Sequence, residues 1–180
     1  MNFNITFHSP FRVSTGLAKP GLDESVDLAD PLPASSIKGV MRAAARDLGI
    51  NPDLLDATFG TARAASPWSW SAPAFVTAPV ARRRARVKIN PETGTAVEGA
   101  LMFGEEAWCT SAVYTIDQSA HLTDENRELQ SAALVLAARA VRSLGANRNR
   151  GLGWVSITCV EHAVTAEQAR ELLTQGVEPC

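Results

Sequence analysis

Residues 124–144 carry the strongest helical pattern in the chain, and this segment constrains the fold more than any other. Thr123 precedes the segment as a cap, and acidic residues begin it. Arg139 and Arg142 lie near its end, and Gly145 follows it. This order is typical of a helix, because carboxylates favour the amino end of a helix and cations favour its carboxyl end. The side predicted to be buried consists of Leu129, Ala133, Leu136, Ala140 and Leu144.

Strands and further helices are predicted on both sides of this segment. Residues 3–7 alternate between apolar and polar side chains, which predicts a first strand. Apolar residues of the segment 37–48 recur at helical spacing after Ser35 and Ser36, which predicts a helix with a serine cap. The other predicted elements are a hairpin over residues 86–90 and 96–103, strands over 107–116 and 154–160, and a short helix over 165–173.

The predicted order is strand, helix, a hairpin pair of strands, helix and strand. This order is the split βαβ plan of ferredoxin-like and RRM-like domains, so the predicted class is α+β with a βαββαβ core. The length of 180 residues and the hydrophobic content of 46% suit a single domain over residues 1–180. Residues 61–85 are predicted to form an inserted arm or thumb. Trp68 and Trp70 in this arm either pin it to the core or present aromatic faces to nucleobases.

Basic residues are concentrated in parts of a chain whose net charge is −2. Five of the ten residues from 81 to 90 are basic, and none of the ten is acidic. A second cluster consists of Arg139, Arg142, Arg148 and Arg150. A row at intervals of four along the first predicted helix consists of Lys38, Arg42 and Arg46. Each group is either a solvated face or a surface that binds a polyanion.

Two function classes are disfavoured by the sequence. The first ten residues lack a basic segment followed by an apolar block, and the longest apolar run, residues 132–138, is too short to cross a bilayer. We therefore expect a cytoplasmic protein with no membrane partner. The three cysteines are widely spaced and form no CxxC motif, so we expect neither a disulfide framework nor a metal site built from cysteine.

Three segments follow one another along the chain as recognisable motifs. They are Leu-Pro-Ala-Ser-Ser-Ile-Lys-Gly-Val-Met-Arg at 32–42, Arg-Val-Lys-Ile-Asn-Pro-Glu-Thr-Gly at 86–94 with Leu-Met-Phe at 101–103 and two glutamates at 105–106, and Leu-Gly-Ala-Asn-Arg-Asn-Arg-Gly-Leu-Gly at 144–153. In this order they resemble the RAMP superfamily and especially the repeated backbone subunit of type III CRISPR complexes. The chain departs from the family pattern at Ala34, where glycine is usual, and at Asn90, where aspartate is usual. The resemblance covers nearly the whole chain.

The residue types in the first and third segments are also suited, on physical grounds, to binding the phosphates of RNA. A helix amino terminus collects unpaired N–H groups and partial positive charge, so Ser35, Ser36 and Lys38 are candidates for holding a phosphate. The glycines of the third segment let the backbone approach a sugar-phosphate chain, and Arg148 and Arg150 add charge-assisted hydrogen bonds. The predicted RNA-binding residues are Ser35, Ser36, Lys38, Arg42, Arg46, Arg84, Arg86, Lys88, Arg148, Arg150 and Gly151.

The resemblance implies a set of partners. Several copies of the chain would stack along a guide RNA together with other CRISPR effector subunits, and each copy would hold a few nucleotides by their phosphates. The guide bases would remain free to pair with target RNA, so that base pairing and not the protein reads the sequence. A β-hairpin thumb would insert between segments of the guide–target duplex.

The resemblance also implies an aspartate, in the loop after the first strand, that cuts target RNA. Asp23 matches this position, although Glu24, Asp27 and Asp30 lie close enough to leave the assignment open. A carboxylate there would coordinate Mg²⁺ or help to deprotonate the ribose 2′-hydroxyl that attacks the neighbouring phosphate. The alternative is a solvated acidic loop in a subunit that only binds RNA.

Two other functions stay open. One is a RAMP-type endoribonuclease that processes the guide-RNA precursor, with His8 at the end of the first strand as its general acid or base. The other is a non-catalytic binder of single-stranded RNA of the RRM type. No predicted strand has the aromatic-rich pattern that the second alternative requires for base stacking.

Overall fold

A computed structural model of the chain describes residues 1–14, 16 and 19–174. In chain order its elements are β1 (Asn2–Phe7), α1 (Ala34–Asp47), α2 (Pro52–Phe59), β2 (Trp68–Trp70), β3 (Ala74–Phe75), β4 (Val80–Ile89), β5 (Ala96–Trp108), β6 (Ser111–Gln118), α3 (Asp124–Ala140), β7 (Val155–Cys159) and α4 (Ala166–Thr174). A 3-10 turn at Arg148–Arg150 lies between α3 and β7. Within the described ranges, none of these helices combines the length and the apolar character that crossing a bilayer requires.

The main sheet has five strands in the order β2-β6-β1-β7, with β3 also paired to β6. All neighbouring strands are antiparallel. β2 and β3 lie one after the other along the same strand, since Trp70 pairs with Ile116 and Ala74 pairs with Val113. Together they take the place of the second strand of a ferredoxin-like sheet. The predicted α+β class with a ferredoxin-like core is therefore confirmed.

The hydrophobic core lies on one face of the main sheet, between the sheet and the helices. β1 alternates strictly between exposed and buried residues, with Phe3 and Ile5 fully buried. They belong to one cluster with Ile37 and Met41 of α1 and Ala133 of α3. Full burial of side chains such as these contributes about 1.5–3 kcal/mol each to the stability of the fold. The opposite face of β1 remains exposed.

The serine cap predicted for α1 is wrong. The helix begins at Ala34, and Pro33 stands at the N-cap position without a side-chain hydrogen bond to the helix. The carbonyl of Pro33 accepts a hydrogen bond from the amide of Ser36 at 2.9 Å, so it starts the helical ladder. Proline suits this entry because its backbone angle φ is already fixed near the helical value. Ser35 and Ser36 therefore lie inside the first turn.

The predicted end of the long helix is also wrong. α3 ends at Ala140, because Val141 adopts an extended conformation with φ −64° and ψ 119°. Leu144 is still fully buried, but it lies beyond the helix. Leu129 is only half-buried, and Leu134 lies in the core instead. The set of buried residues differs from the predicted one because α3 packs against both β7 and α1, so that the buried side of the helix is wider than the predicted stripe.

β4 and β5 form a separate two-stranded sheet, here called the hairpin (residues 80–108). The sequence predicted that this pair would supply the second and third strands of the core, and that prediction is wrong. Residues 68–70 and 74–75, expected in the inserted arm at 61–85, pair with β6 instead. Trp68 is buried, and its indole N–H donates to Oε1 of Gln130 at 2.7 Å. Tryptophan thus pins this segment to the core, and the hairpin is inserted after it.

The hairpin is irregular in its far half. Val87 pairs with Leu101, but Ile89 pairs with Ala96, so the register shifts between the two pairs. Gly99 lies in the extra stretch of β5 and has a positive φ of 73°. A bulge of this kind bends a strand pair and increases its twist. The shift divides the hairpin into a regular part near the main sheet and a short far part that ends in a turn.

The segment 145–153, here called the glycine-rich loop, uses its glycines in two ways. A Cβ atom added at Gly145 would overlap the carbonyl oxygen of Arg12, and one added at Gly153 would overlap the carbonyl oxygen of Leu144. These two glycines therefore permit close contact with the protein's own backbone. Gly151 has a positive φ of 81°, and an added Cβ would meet no atom within 4 Å. Its surface remains open to a ligand.

Alanine should destabilise the protein to different extents at these two kinds of glycine. We expect Gly151→Ala to lower the free energy of unfolding by about 1–2 kcal/mol, the ordinary cost of a left-handed alanine. Gly153→Ala carries the same cost together with the overlap at Leu144, so we expect a loss above about 3 kcal/mol. Urea unfolding followed by circular dichroism measures both values. Equal losses in the two variants would contradict the close contact at Gly153.

Candidate nucleic-acid interface

Charged side chains, two of them buried, join the base of the hairpin to the loop after β1. Arg12 is 1% exposed, and its guanidinium contacts the carboxylate of Glu24. Arg86 lies 3.6 Å from Glu24 and 3.1 Å from Glu106. Arg84 also reaches Glu106, with Nε at 3.1 Å from Oε2. These five residues are here called the hairpin-base network.

The glycine-rich loop is attached to the same network through Asn147. When its amide oxygen faces the arginines, Asn147 accepts hydrogen bonds from Arg12 and, at 2.7 Å, from Nη1 of Arg86. Asn147 has a φ of 57°, and it is the only non-glycine residue with a positive φ among those the structure describes. Asparagine is one of the few residues that tolerate this conformation. The carbonyl of Arg12 also accepts from the amide of Ala146 at 2.7 Å.

The network leaves one positive charge in excess, because three arginines face two glutamates. Glu106 is 2% exposed, so it depends on its arginine partners. Removing one partner from a buried ion pair costs about 3–5 kcal/mol. Arg86, predicted to bind RNA, is largely committed to this network, with 27% of its side chain exposed. The side chain of Arg84 is 58% exposed and keeps a face toward solvent.

Asp23 lies beside the hairpin and is exposed. Its amide donates to the carbonyl of Phe103 at 2.8 Å, and its Oδ2 accepts from the amide of Phe103 at 2.8 Å. The other acidic residues of the loop have different surroundings: Glu24 is ion-paired with arginine, and Asp27 accepts from the amide of Ala29. Asp23 is therefore the exposed aspartate that is bonded to the hairpin.

Glu105 holds the same loop against β5 from the other face of the hairpin. Its Oε2 accepts from Nζ of Lys19 at 2.9 Å and from the amide of Val26 at 3.1 Å. The hydrogen bond from Lys19, followed by that from Val26, lowers the pKa of the Glu105 carboxyl group, while burial opposes the change. The loop is thus bonded to the hairpin on both sides of Asp23.

The described residues contain no cluster of three or more side chains suited to holding a metal ion. Mg²⁺ is usually bound by one or two carboxylates together with substrate phosphates. Asp23 fits this role because it is exposed and carries no cationic partner in the described chain. Glu24 does not fit, since Arg12 and Arg86 already neutralise it. The chain would therefore supply one carboxylate, and the RNA would supply the remaining ligands.

The start of α1 offers less to a phosphate than a serine cap would. Ser35 is exposed, but the amide of Ser36 already donates to Pro33. The Nζ of Lys38 lies 4.9 Å from the ring centroid of Trp70. Partial burial and the nearby Arg42 lower the pKa of the Lys38 ammonium group. Lys38 thus has a structural contact with β2 in addition to any contact with RNA.

The remaining cations of α1 are partly neutralised. Arg42 forms an ion pair with Asp56 of α2. Arg46 is 73% exposed and lies 3.9 Å from Asp47. Lys38 and Arg42 thus contact β2 and α2. Val40, on another side of the helix, lines a groove together with Arg148 of the glycine-rich loop. The structure therefore does not bring the α1 cations into contact with the glycine-rich loop.

Three other predicted residues lie at exposed positions of the glycine-rich loop. Arg148 and Arg150 form the 3-10 turn, and Gly151 follows it in a left-handed conformation. In the part of the chain that the structure describes, neither arginine forms an ion pair with a carboxylate. Lys88 is likewise exposed, in the far half of the hairpin. These cations are available to a polyanion.

His8, the candidate for guide processing, lies just after β1. Its Nε2 is 2.7 Å from Oγ of Ser156, and the ring is exposed. Among the ion pairs of the described residues, none involves His8. A general acid or base at this position would act without a charged partner from the described chain.

Sequence reasoning missed the roles of Arg12, Glu106 and Asn147. Arg12 and Glu106 were not distinguishable from surface charges, since their burial depends on the docking of the hairpin onto the loop. One signal was available: Asn147 stands in a loop rich in glycine, where a left-handed conformation is common.

Comparison with known proteins identifies the family and the fold. The family model of the RAMP superfamily matches residues 4–156. A chain in the cryo-EM structure of type III-B Cmr-beta bound to cognate target RNA has a TM-score of 0.67 and 12% identity, over 87% of this chain and 95% of that chain. A chain of type III-B Cmr-beta in the apo state has a TM-score of 0.71 and 11% identity, over 91% and 98%. No curated protein matches the chain in sequence.

The two similar structures establish the fold alone, because sequence identities of 12% and 11% are too low to transfer the roles of single residues. The family match extends from β1 into β7, and it includes the helix start, the hairpin and the glycine-rich loop. This chain therefore belongs to the RAMP superfamily.

Proposed function

We propose that the chain is a guide-RNA-binding backbone subunit of a type III CRISPR effector complex. Several copies stack along the guide RNA, in contact with other effector subunits, and leave the guide bases free to pair with target RNA. Membership of the RAMP superfamily supports this proposal. So does the likeness in fold to chains of type III-B Cmr-beta, one of which was determined with cognate target RNA.

The hairpin-base network carries the proposal. It joins three parts of the chain that would each contact RNA: the hairpin, the loop with Asp23 and the glycine-rich loop. Such a network keeps its members at fixed separations, because its two buried charges, Arg12 and Glu106, both require partners. A subunit that holds RNA in a fixed register needs this kind of rigidity.

Phosphate contacts would come from the exposed cations. Lys88 on the hairpin and Arg148 and Arg150 on the glycine-rich loop bind the sugar-phosphate chain, and Gly151 lets the backbone approach it. Contacts with phosphates set position and carry no sequence information, which suits a protein that must accept any guide. The net charge of −2 means that binding depends on these few cations and not on bulk charge.

Cleavage of target RNA would occur beside the hairpin. Asp23 accepts the proton of a ribose 2′-hydroxyl, and the 2′-oxygen attacks the adjacent phosphorus to form a 2′,3′-cyclic phosphate. The bond to the 5′-oxygen breaks, and this oxygen takes a proton from water and leaves as a hydroxyl group. Mg²⁺, when bound, stabilises the negative charge that develops on the phosphate. Hydrogen bonds to Phe103 fix the orientation of the Asp23 carboxylate at the hairpin.

Replacing Arg150 tests the phosphate contacts. We expect Arg150→Gln to weaken guide-RNA binding and to reduce the slope of log affinity against log salt concentration by about 0.7, the value for one phosphate of a single strand. Arg63→Gln, which removes an exposed arginine from the segment between α2 and β2, is the matched control and should leave the slope unchanged. Fluorescence anisotropy over a range of KCl concentrations gives both slopes. If the two variants behave alike, Arg150 does not contact RNA.

Replacing Asp23 tests the cleavage step in the complex assembled on its guide. We expect Asp23→Asn to slow target cutting about a hundredfold or more, since the amide cannot accept the proton, and to leave guide binding unchanged. Asp30→Asn, an exposed aspartate of the same loop, is the control and should cut normally. Denaturing gels of labelled target RNA give the rates. Undiminished cutting by Asp23→Asn would remove this residue from the mechanism.

A further inference from the structure

The face of the main sheet that the helices leave uncovered carries one large aromatic side chain. Val155 is buried in the core, so its neighbour Trp154 projects from the opposite face, where it is 62% exposed. Thr6 and Ser156, which pair across β1 and β7, are exposed on this same face. Tryptophan is usually well buried, because its large apolar surface is costly to leave in water. An exposed indole on a polar sheet surface is therefore a candidate contact for a ligand.

The backbone of Trp154 is held in place on both sides. Its amide donates to Oγ of Ser9 at 2.9 Å, and its carbonyl accepts from the amide of His8 at 2.8 Å. Trp154 also forms an isolated antiparallel bridge with Ser143. Because the backbone is already ordered, binding a ligand to the indole requires little additional loss of conformational entropy.

His8 stands next to Trp154 on the exposed face. The two residues are cross-strand neighbours, and side chains in this relation have Cβ atoms about 4.5–5.5 Å apart. The contact between Nε2 of His8 and Oγ of Ser156, at 2.7 Å, orients the imidazole. The indole thus offers a flat apolar face, while His8 beside it offers a hydrogen-bonding edge. A nucleobase has both a flat face and polar edges.

The surface next to Trp154 is cationic. A hollow in the glycine-rich loop is lined by Ser143, Asn147, Arg148, Asn149 and Arg150. Ser143, which lines this hollow, forms the bridge with Trp154, so the hollow lies next to the backbone of Trp154. Within the described residues, Arg150 has no carboxylate partner. An uncompensated arginine beside an exposed aromatic ring favours a nucleotide over an apolar protein surface, because only the nucleotide supplies a phosphate.

We propose that Trp154 stacks on one unpaired nucleobase of a single-stranded RNA, that His8 contacts the edge of this base, and that Arg150 holds the phosphate of the same nucleotide. The inference rests on the proposed function, in which the glycine-rich loop binds the RNA backbone. It adds a contact to a base, on the face of the main sheet that the helices do not cover. Stacking of this kind accepts any base, since every base has an aromatic face.

The test compares an RNA that has bases with one that lacks them. The probes are a fluorescein-labelled oligouridylate and an abasic sugar-phosphate oligomer of the same length, each titrated with the full chain. We expect Trp154→Leu to bind the oligouridylate about fivefold to a hundredfold more weakly, the usual effect of removing one stacking contact. Trp154→Phe, which keeps an aromatic ring, should lose much less. Val160→Ala, at another exposed apolar residue of the chain, is the control and should bind normally.

The abasic oligomer separates stacking from other effects. Without a base to stack, the unchanged chain, Trp154→Leu and Trp154→Phe should bind this probe equally. The salt dependence of binding should be the same for all three, since the indole carries no charge. Thermal unfolding of each variant checks that the exposed substitution leaves the fold intact.

Two outcomes would overturn the proposal. Trp154→Leu could bind the oligouridylate as tightly as the unchanged chain, or it could lose as much affinity for the abasic oligomer. If the first outcome comes with a loss of self-association, the indole contacts another copy of the chain and not RNA. The proposed function fails in a different way, when the unchanged chain binds neither the oligouridylate nor the abasic oligomer. That last outcome removes both proposals.

Discussion

The architecture of this protein depends on the neutralisation of one buried guanidinium group. Arg12 follows β1 and is almost completely shielded from water, where an unpaired cation would be very costly. Glu24 neutralises it, and this contact draws the loop after β1 onto β5. Asn147 accepts a hydrogen bond from Arg12 and so holds the glycine-rich loop beside it. One electrostatic requirement thereby sets the relative positions of three segments that are far apart in the sequence.

This requirement also divides the cations into two groups with different roles. Arg86 stabilises the fold, and Arg42 is paired across two helices, so neither is fully available to RNA. Lys88, Arg148 and Arg150 are exposed, with no role in the hairpin-base network. A count of basic residues along the chain therefore overstates the charge that a polyanion meets. What matters for RNA is the small set of cations that the structure leaves unneutralised.

The sequence predicted best those elements whose pattern is local. The strand predicted over residues 3–7 and the short helix predicted over 165–173 depend on neighbours in the chain, and the structure contains both elements within one residue of the predicted limits. β2 and β3 are too short, at three and two residues, to show any period, and they are strands because β6 pairs with them. The same holds for the candidate site. The sequence indicated Asp23 and the arginines of the glycine-rich loop as candidate site residues. It could not indicate the burial of Arg12 and Glu106, because that burial follows from tertiary packing that no local pattern contains.

The register shift between Val87 and Ile89 has a consequence for how this fold diversifies. Among the described residues, every ion pair of the hairpin lies between the shift and the main sheet, so none of these ion pairs holds the far segment in place. The segment beyond the shift, residues 88–100, is here called the tip of the hairpin, and the part between the shift and the main sheet is called the stem. Insertions or deletions in the tip would alter how far the hairpin reaches, while the stem and everything bonded to it would stay unchanged.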